Sequence, residues 1–183
     1  QSILGVGILV IGTPILLLLD YNLPKILELL LPVSIITSLL TFLVIINKKR
    51  IIYKKIDIKI NFYFFSICLP AIFFGLFLLE MFSEKFNFKL IVAIIILSSL
   101  IIKYYFRRKI ELIPKFVKKM LMFLIGIIHG FTNSGGTILS LFFSNTSKDT
   151  INVARLNITY FYLLLAFFQF VIFLFFFETE LSF

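Results

Sequence analysis

Residues 126–137 read GIIHGFTNSGGT and lie inside one long apolar segment, from about 116 to 144. In lipid every backbone polar group needs a partner, so glycines at this density either break a helix or allow two helices to pack closely. We expect a broken or re-entrant helix at the Gly135-Gly136 pair, whose resumed half directs backbone N–H groups into the protein interior, and a matching break in the first segment around Gly12-Thr13-Pro14. For Gly126 alone, as for Gly5 and Gly7, we expect close packing instead.

The composition of the whole chain is typical of a polytopic membrane protein. Of its 183 residues, 61% are hydrophobic and 15% are charged, against about 45–50% and 25% in soluble domains. A soluble fold of this length lacks the interior to bury so much apolar surface. The only cysteine, Cys68, excludes an intrachain disulfide.

Six apolar segments are candidates to cross the hydrocarbon core, which takes about 20 residues. They lie at about 3–19, 26–46, 60–79, 88–102, 116–144 and 153–177. We therefore predict an all-α integral membrane protein, a polytopic helical bundle, in the plasma membrane of a prokaryote. Because the chain begins with Gln1, we expect an initial stretch to be missing.

The positive charge behind the net +9 is concentrated in two stretches between the apolar segments. Six Lys and Arg lie between 48 and 59 and seven between 103 and 119, the pattern of cytoplasmic loops. This distribution excludes nucleic acid as a partner. The loops at 20–25 and 80–89 then face outward. The sixth segment would end inside, where the acidic tail with Glu178 and Glu180 is a conflict unless segment one or five is re-entrant.

An internal repeat relates the first and fifth segments. Residues 7–16 (GILVIGTPIL) pair with 130–139 (GFTNSGGTIL). Both carry glycines five positions apart, then small or helix-breaking residues and an apolar run. The pairing predicts two repeated halves, about 1–102 and 116–183, the second of them incomplete. Glycine- or proline-interrupted segments at matching places in two halves indicate a transporter binding site.

The stretch 126–137 resembles the second-half glycine motif of the sulfite exporter TauE/SafE-like membrane permeases. Residues 154–157 follow at the spacing where one branch of that family has a small residue near a basic one, and residues 5–7 with 12–14 resemble the first-half copy. Thr137 stands where the family has proline, which predicts a softer break. The resemblance implies a secondary transporter of a small sulfur-containing anion, such as sulfite or a sulfonate, without a cofactor.

The candidate substrate-binding residues combine both motifs with nearby polar side chains. They are Gly12, Thr13, Pro14, His129, Asn133, Ser134, Gly135, Gly136, Thr137, Arg155 and Asn157. For three kinds of side chain among them, the sequence leaves two roles open. The only histidine binds the anion or carries a proton. The hydroxyl and amide groups bind substrate oxygens or satisfy freed carbonyls. The arginine binds an oxyanion or extends to the lipid headgroups.

A permease working by alternating access is the leading functional hypothesis, with a small anion and the lipid bilayer as partners and a homo-oligomer left open. The alternative is a non-transporting scaffold or assembly subunit, in which the glycines serve packing alone. An intramembrane enzyme is disfavoured, since neither a nucleophile–base pair nor paired carboxylates are evident, and no metal ligands are expected. No acid is securely placed at a span centre, which leaves energy coupling unexplained.

Overall fold

A computed structural model describes residues 8–48, 56, 58–83, 85–105, 114–146 and 151–177. The described part is helical and contains no strand. Its elements are α1 (Ile8–Leu18), α2 (Leu23–Lys48), α3 (Ile58–Tyr63), a π turn (Phe64–Cys68), α4 (Leu69–Phe82), α5 (Phe88–Tyr105), α6 (Lys115–Thr132), α7 (Gly135–Thr146) and α8 (Ile151–Phe176). The predicted helical membrane bundle is confirmed.

Within the described residues, three continuous helical rods are long and apolar enough to cross a membrane: Leu23–Asn47, Lys59–Phe82 and Val153–Phe176. Their positions match the second, third and sixth predicted segments. The first and fourth segments form shorter apolar helices, Ile8–Leu18 and Phe88–Ile102. At a rise of about 1.5 Å per residue, the described α1 is shorter than the hydrocarbon core, which is about 30 Å thick.

The π turn lets the rod Lys59–Phe82 pass through a proline without breaking. Pro70 has no N–H to offer the carbonyl four residues earlier. The backbone relaxes into the wider turn, in which the N–H of Leu69 bonds to the carbonyl oxygen of Phe64. α3, the π turn and α4 therefore form one continuous rod.

The first glycine motif does not break its helix within the described residues, contrary to the prediction. α1 runs without interruption from Ile8 to Leu18, with Pro14 inside it. A proline removes only one helical hydrogen bond, and membrane helices tolerate this where neighbouring groups compensate. Gly12 is therefore the fifth residue of its helix, whereas Gly135 is the first residue of α7.

Three connections define one end of the bundle, called here the Asp20 end. The turn after α1 holds Asp20, which accepts a hydrogen bond from Lys89 at the start of α5; this contact lowers the pKa of the Asp20 carboxyl. Asp20 also lines a cavity of about 440 Å³ together with Phe173 and Phe177, at the C-terminal end of α8. Hence α1, α5 and α8 all have a terminus here.

The opposite end holds the starts of α3 and α6, where Lys119 lies 5.7 Å from the centre of the Tyr63 ring. Six full spans in alternation would place the end of the sixth segment beside the basic segments. Instead, α8 finishes at the Asp20 end. The reason is that the fifth segment folds back on itself. A Cβ on Gly135 would meet the backbone of Ile125 and His129, so α7 begins alongside the last turns of α6.

Three glycines let α4 and α6 approach to backbone contact. A Cβ on Gly126 would meet the carbonyl of Cys68, and one on Gly130 would meet the carbonyl of Ile72. A Cβ on Gly75, across the interface, would meet the backbone of α6. This is the small-residue packing common between membrane helices, and it confirms the packing role predicted for Gly126. Gly5 and Gly7 lie outside the described residues.

Candidate functional site

The predicted break lies between α6 and α7, and Asn133 forms it. α6 ends at Thr132. Asn133 adopts a left-handed conformation with φ of 61°, which asparagine tolerates better than most residues. Its backbone N–H closes the helix on the carbonyl of His129 at 2.8 Å. α7 then begins at Gly135, so the glycine pair opens the second helix.

The hydroxyl groups beside the break satisfy freed carbonyls, one of the two roles left open by the sequence. The carbonyl of Ser134 accepts both the N–H of Thr137 at 3.1 Å and the Thr137 hydroxyl at 2.7 Å. The Ser134 hydroxyl donates to the carbonyl of Thr132 at 3.2 Å. Thr137 also lies 3.3 Å from the Ser99 hydroxyl of α5. These bonds fix the first turn of α7.

The two glycine motifs meet through one buried side-chain hydrogen bond. The amide nitrogen of Asn133 donates to the Thr13 hydroxyl of α1 at 2.9 Å, and both side chains are fully buried. The amide oxygen Oδ1 of Asn133 has no hydrogen-bond partner in the described part of the chain. Of the other first-motif residues, Gly12 faces the side chain of Leu30 on α2 and Pro14 is half-buried.

His129 lies one turn before the break and is fully buried. Its ring faces the Tyr162 ring of α8 edge-on, with 6.3 Å between the centroids. Neither ring nitrogen has a hydrogen-bond partner among the described residues. Buried polar groups are normally paired, and exceptions call for a functional explanation.

Two buried polar residues of α8 complete the cluster, and the sequence reasoning missed both. The hydroxyl of Tyr162 lies near the backbone of Leu9 and Val10 and near Ser34 but forms no hydrogen bond within the described residues, while its ring packs on Gly136 at the start of α7. Gln169 donates from Nε2 to the carbonyl of His129 at 2.9 Å, and its Oε1 has no partner in the described part. A polar side chain inside an apolar span was the available signal.

The last two candidate residues lie apart from this cluster. Arg155 is exposed near the start of α8, about two helical turns before Tyr162. Asn157 is buried and donates to the carbonyl of Val153, one turn back in its own helix, at 3.0 Å.

The cluster is polar but carries no fixed charge. The buried side chains of the described segments include no Asp, Glu, Lys or Arg. In the same segments no group of three His, Cys, Asp or Glu is placed to hold a metal ion. What the site offers is hydrogen-bonding groups, one imidazole and the N-terminus of α7, whose first N–H groups lack intrahelical acceptors and favour an anion.

Thr13→Val tests the contact between the motifs. Valine keeps the shape of threonine but leaves the buried amide of Asn133 without its acceptor, which costs about 1–3 kcal/mol. We expect a lower unfolding temperature in detergent. Thr37→Val is the matched control, because the Thr37 hydroxyl bonds only within its own helix, to Val33 and Ser34; its effect should stay within about 0.5 kcal/mol. Equal effects of the two variants would contradict the inter-motif contact.

Comparison with known proteins gives one family. No curated protein and no solved structure matches the chain. The family model described as sulfite exporter TauE/SafE matches residues 1–182. That family consists of membrane transporters rather than enzymes and implies sulfur-related anions as the solutes. The match covers the whole bundle, including the break, Thr13 and the α8 cluster, and on this ground the chain belongs to the sulfite exporter TauE/SafE family.

Proposed function

We propose that the chain is a secondary transporter of a small sulfur-containing anion, sulfite or a sulfonate, and that it works by alternating access around the α6–α7 break. The site comprises Thr13, His129, Asn133, Gly136 and Tyr162. The observation that carries the proposal is Tyr162, which touches the first described turn of α1 through its hydroxyl and the start of α7 through its ring. Broken or short helices whose N-termini point inward hold anionic substrates in many transporters.

The chemistry of the site suits a compact oxyanion. Such an anion accepts hydrogen bonds at several oxygens, and the N-terminus of α7 directs N–H groups toward it. The unpartnered ring nitrogens of His129 provide a further donor. The absence of side chains at Gly135 and Gly136 lets His129 and the Tyr162 ring lie directly against the first turn of α7. Arg155 is not part of this site in our proposal, because its side chain is exposed.

We further propose that two repeated halves, about 1–102 and 116–183, form the transporter, with the site between them. The order of elements supports this division. α1 precedes the long α2, and α7 precedes the long α8, which has the same number of described residues as α2. The first pair meets at the Asp20 end, and α8 finishes there. The pairs therefore run in opposite directions, as inverted repeats do.

In a prokaryotic plasma membrane we expect the segments 47–59 and 103–119 to face the cytoplasm. α8 begins at that end and finishes at the Asp20 end, which then faces outward. This placement removes the conflict posed by the acidic tail after α8, because the last span no longer ends on the cytoplasmic side.

The test is anion flux in proteoliposomes that contain the full chain. Sulfite, an alkyl sulfonate, thiosulfate and sulfate are each offered outside, with protein-free vesicles as the control. We expect saturable uptake of sulfite or the sulfonate, and competition between them. Folded protein that moves none of the four anions would overturn the proposal and favour the scaffold alternative.

A further inference from the structure

His129 supplies more to the site than a hydrogen bond. We propose that His129 is the proton-binding residue of a coupled cycle, in which one proton crosses the membrane together with each anion. This inference rests on the proposed function of the same site. Its starting observation is geometric: the imidazole is fully buried one turn before the break, and Nδ1 and Nε2 both lack a partner in the described part.

Charge balance is the first argument. An anion in a water-excluded site needs a positive charge nearby, because an uncompensated buried charge is strongly unfavourable. The buried side chains of the described residues include no Lys or Arg. An imidazole is the one buried group there that becomes positive on titration. The anion and the protonated ring then neutralise each other, whereas either alone would leave a charge in the bundle.

The groups that face His129 do not compete for this role. From α8 the nearest titratable side chain is Tyr162, and Cys68 of the π turn lies against Gly126, one turn back along α6; both become negative, not positive, on ionisation. α7 contains no titratable residue. α4 contains only Glu80, which is exposed. α5 carries its ionisable residues, Lys89, Lys103, Tyr104 and Tyr105, toward its two ends.

The position of His129 on α6 offsets part of the cost that burial imposes on a protonated ring. It lies in the last turn of the helix, where the unpaired carbonyls carry partial negative charge and stabilise a cation. Its own carbonyl accepts the N–H of Asn133 at 2.8 Å and Nε2 of Gln169 at 2.9 Å. The backbone of His129 is thereby tied to the break and to α8, the elements proposed to rearrange.

The cycle is balanced with one proton and one anion. On the side where the site is open, an imidazole nitrogen binds a proton from water, and an anion of charge −1 binds beside it. The neutral loaded site reorients, the anion leaves, and the N–H proton returns to water. The empty site, with a neutral imidazole, then returns. No bond other than this N–H forms or breaks.

An alkyl sulfonate is the probe that isolates the proton on the protein. Sulfonates are strong acids and stay monovalent, so a proton that moves with them is not carried by the solute itself. Vesicles with an alkaline lumen and a trapped pH dye are clamped at zero membrane potential. We expect one proton per sulfonate, and accumulation of up to about tenfold for each pH unit of gradient. Protein-free vesicles should show neither.

His129→Gln removes the titration while retaining hydrogen-bonding capacity. We expect accumulation against the gradient to fall to a ratio of one. Gln169→Leu is the control, because it removes the side-chain hydrogen bond to the backbone carbonyl of His129 but no proton-binding group. Proton coupling should persist in the uptake that this variant retains. Sulfonate uptake without proton movement, or coupled uptake retained in His129→Gln, overturns the inference and leaves the transporter intact. Absence of any anion uptake by folded wild-type protein overturns the proposed function, and this inference with it.

Discussion

Gly130→Ala is expected to destabilise the bundle strongly, and more than the same change at a described helical glycine that faces only a side chain. The added Cβ would meet the carbonyl of Ile72, the Cα of Gly75 and the backbone nitrogen of Leu76. All three are backbone atoms, so no rotamer change relieves the clash and the two helices must move apart. The expected loss lies at the upper end of the range of about 1–3 kcal/mol for overpacking. Thermal unfolding in detergent measures it.

Gly12→Ala is the matched control for this prediction. The same methyl group on α1 would approach Cδ1 of Leu30 at 2.9 Å, the flexible end of a side chain that can rotate away. Alanine in a helix is favoured over glycine by about 0.5–1 kcal/mol, so this variant should be neutral or slightly more stable. If Gly130→Ala is as stable as Gly12→Ala, the close contact between α4 and α6 is wrong.

The break between α6 and α7 was predictable because it depends on local chemistry. Asn133 and Ser134 precede a glycine pair, and residues that tolerate φ > 0 or bond to their own backbone favour a chain reversal in any context. The departure from the family pattern at Thr137 does not soften the break. The left-handed turn at Asn133 forms it, and the Thr137 hydroxyl binds the carbonyl of Ser134.

The break predicted at the first motif is absent from the described α1 for a physical reason. Pro14 was expected to break its helix, yet α1 continues through it. A proline breaks a helix when the lost hydrogen bond and the ring clash outweigh the surrounding packing. In α1 that packing is extensive, since Leu9, Thr13 and Leu17 are all buried. Only tertiary contacts decide such a case, and a single sequence does not reveal them.

Tyr162 and Gln169 were missed because their importance comes from distant partners. Both lie in an apolar, aromatic-rich span. Their roles depend on contacts with His129 and Gly136, which lie 26 or more positions earlier in the chain. The hydrogen bond between Thr13 and Asn133 is similar. The repeat predicted that the two motifs would face one site, but not which atoms would touch.

Gly136→Leu is expected to abolish transport while leaving insertion into the membrane intact. A Cβ at this position would overlap the Tyr162 ring, far inside van der Waals contact, so the ring has to leave the cluster. Tyr162 is a side chain and can rotate, unlike the backbone atoms opposite Gly130, so the fold survives. Because displacement of a site group by about 1 Å can cost 100-fold in rate, we expect flux in proteoliposomes to fall by at least this factor.

A double-mutant cycle shows whether the loss acts through Tyr162. Tyr162→Ala removes the ring that Gly136→Leu displaces, so the two changes should be strongly non-additive. The flux of the double variant should be about as low as that of Tyr162→Ala alone. It should not be reduced by the product of the two single losses. If the losses multiply instead, Gly136 contributes to transport independently of Tyr162. Fully additive losses would therefore contradict the contact between the start of α7 and α8, while unchanged flux in Gly136→Leu would exclude the α7 terminus from the transport site altogether.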